Sequence, residues 1–428
     1  MNRKEMSDIR NRIVIVDACR TAIGKMGGTL KNVSACDLAA TIIRSILERN
    51  PEVVDEVDEV ILGQCRQSSD EANVARIAAL KAGISEKVPA FTVMRQCASG
   101  MTAIHDAVLR IKAGECETVI AGGTESMSNG IYYLRNARWG IHSGDSVLVD
   151  ALTEAQVNSQ PQDIYGHYSM GATAENIAQT LAISREEQDE FSLESQRKAV
   201  AAIDRGKFAD EIVPVKVYLG KGKEYVSFDT DEFPKRDTSI EKIQKLKPCF
   251  GIAKDEQGRL FNDNEFNGTV TAGSSSGRND GAAAVLVMSE SAAKRYGLKP
   301  MGIIRGIAAA GCDPRLMGLG PVEAVPKALK LAGINMDDIG LIELNEAFAA
   351  QSIGCIRKLG WEEKKDIINV NGGAIALGHP VGATGCRIIV TLLHEMMKRG
   401  VRYGIATLCV AGGLGQAAVI ELYDDEQK

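Results

Sequence analysis

Two cysteines and one histidine, each set among small residues, are the places where this chain can do chemistry. Cys97 lies in Thr92-Val93-Met94-Arg95-Gln96-Cys97-Ala98-Ser99-Gly100-Met101-Thr102-Ala103-Ile104. Pro89 precedes a strand-like Ala90-Phe91-Thr92-Val93, Met101, Ile104, Val108 and Ile111 recur at helical spacing, and Gly114 is a stop. The stretch therefore predicts strand, sharp turn and helix, with Cys97 at the turn. Unsatisfied N–H groups and the dipole at a helix N-terminus stabilise a thiolate and pull a thiol pKa below about 8.5. The competing reading is a small buried hydrophobe, the usual fate of an intracellular cysteine.

His379 is the one titratable group in Asn369-Val370-Asn371-Gly372-Gly373-Ala374-Ile375-Ala376-Leu377-Gly378-His379-Pro380-Val381-Gly382-Ala383-Thr384-Gly385. A surface loop would carry more polar residues, so this backbone is expected to pack tightly and fix the imidazole. Glu343-Leu344-Asn345-Glu346-Ala347-Phe348-Ala349-Ala350 and Leu408-Cys409-Val410-Ala411-Gly412-Gly413-Leu414-Gly415 are likewise poor in bulky polar side chains.

The elements that must position these loops alternate. Ile13 to Val16, Val57 to Leu62, Ala90 to Met94 and Thr118 to Ala121 read as strands. Asp37 to Leu47, Val74 to Ala82 and Met101 to Ala113 read as helices. Strands separated by helices predict a parallel sheet with helices on its faces. From about Ser126 to Ser276 the rhythm changes to Gly- and Asn-containing loops, a long polar helix from Ser184 to Arg205 with a Ser184/Glu187 capping box, and a Lys-rich stretch. This reads as an inserted subdomain, after which alternation resumes at Ala282 to Met288 and runs to Leu422. Cys97-Ala98-Ser99-Gly100 with its helix to Gly114 is echoed by Gly382-Ala383-Thr384-Gly385 with its helix to Gly400, which points to a duplicated α/β unit whose turns meet in one site.

Composition narrows the function classes. With 428 residues, 45% hydrophobic and 25% charged, the chain has material for two or three domains and an ample core. A formal charge of −6 argues against a general nucleic-acid or membrane-surface binder. No run approaches the roughly 20 apolar residues that span a bilayer, and the start, Met1 to Asp8, lacks a leader's apolar core. Ten cysteines with no CxxC pair predict free thiols in a reducing, cytoplasmic setting. The five histidines show no metal-ligand spacing.

Together with Asp17-Ala18-Cys19-Arg20-Thr21-Ala22-Ile23-Gly24, Met170-Gly171-Ala172-Thr173-Ala174-Glu175-Asn176 and Gly268-Thr269-Val270-Thr271-Ala272-Gly273-Ser274-Ser275-Ser276, these stretches resemble the thiolase family over nearly the whole chain. The resemblance implies a five-layered αβαβα fold of two similar halves, assembled as a homodimer or homotetramer. The first half would take residues 1–126 and 277–300, an inserted loop domain residues 127–276, and the second half residues 301–428. It also implies roles. Cys97 would take the acyl group as a thioester with His379 as its base, and Cys409 would be the second acid/base. Asn345 would hold a water that forms one oxyanion hole with His379, and the backbone N–H groups of Cys97 and Ala411 would form the other. Coenzyme A would be substrate and product, with no metal or redox cofactor. Lys235 or Arg236 would meet its nucleotide end, Leu246, Phe250 and Ser276 its pantetheine arm, while Met170, Met317 and Phe348 would pack round the acyl group. The competing reading for the lysines is a solvated face, and for the apolar residues plain core.

Four positions depart from the family pattern. Met94 stands where Asn is usual, Ala411 where Gly is usual, Ser169 where His commonly precedes Met170, and Gly251 to Phe266 is long and polar. A decarboxylating ketoacyl synthase would be expected to use an additional His or Asn in place of Cys409. A non-catalytic acyl-CoA-binding protein has only Met94 and Ala411 in its favour. A dinucleotide-binding reading of Gly412-Gly413-Leu414-Gly415 fails because a strand-like stretch follows where a helix is required. The expected reaction is CoA-dependent cleavage of 3-ketoacyl-CoA or condensation of two acetyl-CoA. The Glu343 to Glu346 and Thr271 to Ser276 forms lean towards the degradative enzymes of β-oxidation.

Overall fold

The computed structural model describes residues 12–220, 224–250 and 268–424. Met1 to Asp8 and Gly251 to Phe266, both singled out above, lie outside the described residues. The main strands are β1 (Ile13–Thr21), β2 (Glu59–Gly63), β3 (Ala90–Val93), β4 (Thr118–Ser126), β5 (Asn279–Ser289), β6 (Gly302–Gly311), β7 (Leu341–Leu344), β8 (Tyr403–Val410) and β9 (Leu414–Leu422). They lie in the spatial order β7-β8-β9-β6-β1-β5-β4-β2-β3. The main helices are α1 (Ala35–Arg49), α2 (Val74–Ala82), α3 (Ser99–Ala113), α4 (Met170–Thr180), α5 (Arg185–Asp204), α6 (Gly320–Ala332), α7 (Ala349–Leu359) and α8 (Val381–Arg399).

This path is two half-sheets meeting at a narrow seam. β1 and β6 share only Val14↔Ile303 and Ile15↔Gly302, whereas β1 runs along β5 from Ile13↔Ser289 to Arg20↔Ala283. Alternation along β1 sends Val14 and Val16 to one core and Ile13 and Ile15 to another. The first core joins Val14, Val60 and Leu286 to α1 and α2. The second joins Ile15, Val119 and Val285 of one half-sheet, and Leu408 and Ile420 of the other, to α3 and α8. The third joins Ile342, Ile405 and Val419 to α6 and α7. Helix, sheet, helix, sheet, helix is thus the five-layered αβαβα order. Its middle layer explains why α8 is buried from Val381 to Met396, since it is covered by a sheet on each side.

The expected parallel sheet is corrected to a mixed one. β2 runs parallel to β3 and β4, and β7 to β8, because helical crossovers join them. β5 lies antiparallel to β4 and β1, and β9 antiparallel to β8 and β6. The chain reaches β5 through the long 127–276 segment and β9 through a tight hairpin, and neither route is a βα crossover.

Residues 127–276 carry α4, α5 and short hairpins such as Val215–Tyr218 with Tyr225–Phe228. α5 has the expected capping box of Ser184 and Glu187. This segment is stitched to β1: Ile212–Val213 pairs with Arg20 and Thr21. Arg20, fully buried, donates from Nε to Glu211 at 2.6 Å and from its terminal nitrogens to Asp231 at 2.8 and 2.9 Å. Removing one partner of such a set leaves an uncompensated buried charge, a cost of about 3–5 kcal/mol.

Candidate active site

β3 ends at Val93 and α3 begins at Ser99, with Cys97 in the turn. The turn is sharp enough to hold Gln96 at φ +43, a left-handed conformation that costs a non-glycine residue energy. Local bonds brace it. Ser99 Oγ accepts the Arg95 N–H at 2.9 Å and donates to the Gln96 carbonyl at 2.7 Å. Gln96 Oε1 accepts from Cys65 Sγ at 2.9 Å. These contacts hold the loop in which Met94 replaces the expected amide, and Met94 itself is 56% exposed.

α3 and α8 meet at their N-termini because glycine lets them. A Cβ on Gly100 would lie 3.0 Å from both Cys386 N and Gly382 O, and one on Gly385 would lie 2.6 Å from Met101 N. The internal echo of the sequence is therefore the contact that brings the Cys97 and His379 loops together. Glu125 ties them further, its carboxylate accepting the N–H groups of Cys65 (3.0 Å), Arg66 (3.1 Å) and Gly382 (3.0 Å).

His379 is held at both ends. Its backbone N–H donates to Asn279 Oδ1 at 2.9 Å, and its Nδ1 is 2.7 Å from Thr384 Oγ1. Thr384 spends its only proton on the Pro380 carbonyl at 2.9 Å, so it must accept from Nδ1–H. That leaves Nε2 deprotonated, buried and without a protein partner among the described residues. Burial, reinforced by Arg387 and Arg66, pushes the imidazole pKa down to about 3, so the ring is a neutral base at physiological pH.

Between β8 and β9 the chain turns through Ala411, Gly412 and Gly413. Only the two glycines take positive φ, +89 and +80. Ala411 thus sits where any residue fits, and the departure from glycine there carries no backbone strain. Its N–H, with that of Cys97 itself, points at the Cys97 sulfur. The expected lowering of the Cys97 thiol is nevertheless corrected. Burial in the cavity raises its pKa, and the two N–H groups with Arg66 offset this only in part. Cys409, 1% exposed, is raised well above the usual thiol range by burial, with Cys97 adding to the shift.

Cys97, His379, Cys409 and Ala411 line one cavity of ≈ 210 Å³. Met170, Met317, Phe348, Phe250 and Ser276 complete its expected walls, the two phenylalanines meeting edge to face at 6.1 Å. Asn345 does not line it. It is 1% exposed, with its N–H on the Thr407 carbonyl and both side-chain amide atoms without a partner among the described residues. Leu246 lies outside against Gly273. Lys235 and Arg236 line a separate cavity of ≈ 220 Å³, where Arg236 pairs with Asp204 at 2.6 Å. A larger cavity of ≈ 490 Å³ lies between α5 and α7 and holds none of the reactive side chains. Ser169 caps α4 through the Ala172 N–H, so its replacement of histidine serves the helix.

The sequence reading missed Thr384, Asn279, Gln96, Glu125 and Arg66. Thr384 stands five residues after His379 within the same run, a spacing that could have suggested it. Asn279 and Glu125 act across 100 and 257 residues of chain, and no local signal marks them.

Such a cavity can acylate a thiol beside a neutral base and a second, protonated thiol. The thiolase N-terminal domain model matches residues 13–291 and the thiolase C-terminal domain model residues 298–422. An acetyl-CoA acetyltransferase of Chromobacterium violaceum is 50% identical over 96% of this chain and 99% of its own. The crystal structure of the Bacillus anthracis acetyl-CoA acetyltransferase superimposes with a TM-score of 0.89 at 43% identity, covering 96% of this chain and 99% of that one. Human mitochondrial 3-ketoacyl-CoA thiolase in complex with CoA does so with 0.88 at 39% identity, covering 97% and 99%. With both family domains matched in order around this cavity, the chain belongs to the thiolase family and is an acyltransferase.

Proposed function

We propose that this thiolase transfers acyl groups reversibly between acyl-CoA and CoA, cleaving 3-ketoacyl-CoA to acetyl-CoA or condensing two acetyl-CoA. The observation that carries the reading is one cavity that holds Cys97 and His379 from two loops and Cys409 from the end of β8. His379 Nε2 takes the Cys97 proton, and the thiolate attacks the C3 carbonyl of the ketoacyl chain. The N–H groups of Cys97 and Ala411 hold the oxyanion, where loss of one donor costs roughly 2.7–4 kcal/mol. The C2–C3 bond breaks, its electron pair becomes the enolate of acetyl-CoA, and Cys409 protonates it. Asn345 has a buried amide with no protein partner among the described residues, which suits a water that links it to His379.

The inserted segment, residues 127–276, is proposed to carry CoA along Phe250 and Ser276 towards Leu246, Lys235 and Arg236. The halves are proposed to be residues 1–126 with 277–300, and 301–428. β3 ends the sheet with its outer edge unpaired among the described residues, which supports assembly as a homodimer or homotetramer. All ten cysteines are free, which supports a cytoplasmic setting.

The test is CoA-dependent cleavage of a chain-length series of 3-ketoacyl-CoA substrates. The wild-type protein should turn over part of the series and Cys97→Ala none of it. Failure of the wild type on every member would sink the reaction, and full activity of Cys97→Ala would sink the assigned nucleophile.

A further inference from the structure

The cavity around Cys97 has a charge that the acyl transfer just described does not use. Among its described lining residues the charged side chains are Arg66 and Arg278, with no carboxylate, in a chain of net charge −6. Arg66 follows Cys65, which bonds Gln96, so its guanidinium stands beside the nucleophile's loop. One terminal nitrogen is 3.4 Å from the neutral Gln96 Oε1, and Nε is buried with no partner among the described residues. The buried Glu125 carboxylate, which accepts the Arg66 backbone N–H at 3.1 Å, feels the guanidinium's charge, but no side-chain ion pair joins the two among the described residues. Arg20 shows what this fold does with a purely structural guanidinium, surrounding it with Glu211 and Asp231. Arg278 is loosely held, 3.9 Å from Asp150 and 3.2 Å from Thr153 Oγ1.

A half-buried, underpaired guanidinium has five N–H donors in a fork that matches a carboxylate. We propose that Arg66, assisted by Arg278, is a specificity-determining residue that receives a carboxylate at the far end of the acyl chain. The preferred substrates would then be 3-ketoacyl-CoA thioesters of dicarboxylic acids. This rests on the acyl-transfer reading. The phosphates of CoA are separated from its reacting thioester by the whole pantetheine arm, so a cation at the Cys97 loop faces the acyl group. The step balances as before. Cys97 forms a thioester with the carbonyl carbon of the carboxylate-bearing fragment as C2–C3 breaks, and acetyl-CoA leaves. CoA thiol then displaces Cys97, which recovers its proton, and the dicarboxylic mono-thioester of CoA is released.

The experiment compares 3-oxoadipyl-CoA with 3-oxohexanoyl-CoA, equal in chain length and differing in a terminal carboxylate, with acetoacetyl-CoA as the common reference. In the wild-type protein kcat/KM should favour the dicarboxylic substrate at least tenfold. Arg66→Met should abolish that ratio and Arg66→Lys should restore part of it. Equilibrium binding of the same two thioesters to Cys97→Ala, with and without Arg66→Met, reads the subsite without turnover. A binding preference with no turnover of acetoacetyl-CoA would overturn the acyl transfer and leave the anion subsite standing. Equal binding of the two thioesters would overturn the subsite, as would an Arg66→Met change that weakens CoA alone to the same degree, which would assign Arg66 to a CoA phosphate.

Discussion

Cys97 and Cys409 share a cavity and a side chain, yet they stand in different surroundings. Cys97 sits at the start of a helix, half-buried, with two backbone N–H groups on its sulfur and Arg66 nearby. Cys409 lies near the end of a buried strand among Cys97, Cys355 and Cys312, and only its own N–H opposes its burial. Burial raises both thiols, but the donors round Cys97 return part of that cost. The difference teaches that a protein assigns two chemical roles to one residue type by where it spends its backbone donors. In the proposed reaction Cys97 would carry negative charge once His379 takes its proton, and Cys409 would keep its proton until an enolate claims it.

The largest expected effect that could break this contrast is at Cys409. Cys409→Ala should lose about 10²–10⁴-fold in cleavage rate, the usual worth of a positioned proton donor. It should also lose α-proton exchange on acetyl-CoA, while Cys97 still becomes acylated when mass is read on the intact protein. Exchange that survives in this variant would assign the proton to another group.

Next in size is Thr384→Val, which removes the acceptor that keeps the His379 proton on Nδ1. We expect roughly a ten- to hundredfold fall in kcat with KM for the ketoacyl substrate little changed, and recovery in Thr384→Ser. A rise in KM alongside the fall in kcat, with no recovery by serine, would mean that Thr384 only packs the loop.

The smallest effect asks whether burial governs carboxyls here as it does thiols. Burial pushes Glu343 up to about 8 against the opposing pull of Arg387, 3.6 Å away. Between the ordinary carboxylate range and that value the folded protein holds a proton that the unfolded chain has released. Stability is therefore fully present at low pH and is lost as pH rises through this window. Glu343→Gln should flatten the slope by on the order of 2 kcal/mol between pH 5 and 8, read from urea midpoints. An unchanged slope would place the titration elsewhere.

Much of this was legible in the chain. α2 spans Val74–Ala82 as its periodicity predicts, and α3 begins two residues before Met101, at Ser99. The stretches that hold Cys97, His379 and Cys409 stand out because glycine and small residues leave so few reactive side chains in them. Strand direction was not legible, since periodicity marks a buried strand but not whether a crossover or a hairpin delivers it. The state of Cys97 was misjudged because the helix N-terminus is a local feature, whereas its burial comes from Met127, Val381 and other residues far along the chain. Lys235, Arg236 and Leu246 fall outside the cavity, since a lysine-rich stretch reveals charge but not which face it occupies.

The seam between the half-sheets bears on how this protein is made. Cys97 belongs to the half that is synthesised first, whereas His379 and Cys409 come from α8's approach and from β8, near the end of the chain. A ribosome-bound chain that has completed β5 already carries the thiol, but it has neither the base that would deprotonate it nor the Ala411 N–H that would hold its oxyanion. Cys97 therefore meets its proposed base and second oxyanion donor only when β8 and β9 close against β6, late in synthesis.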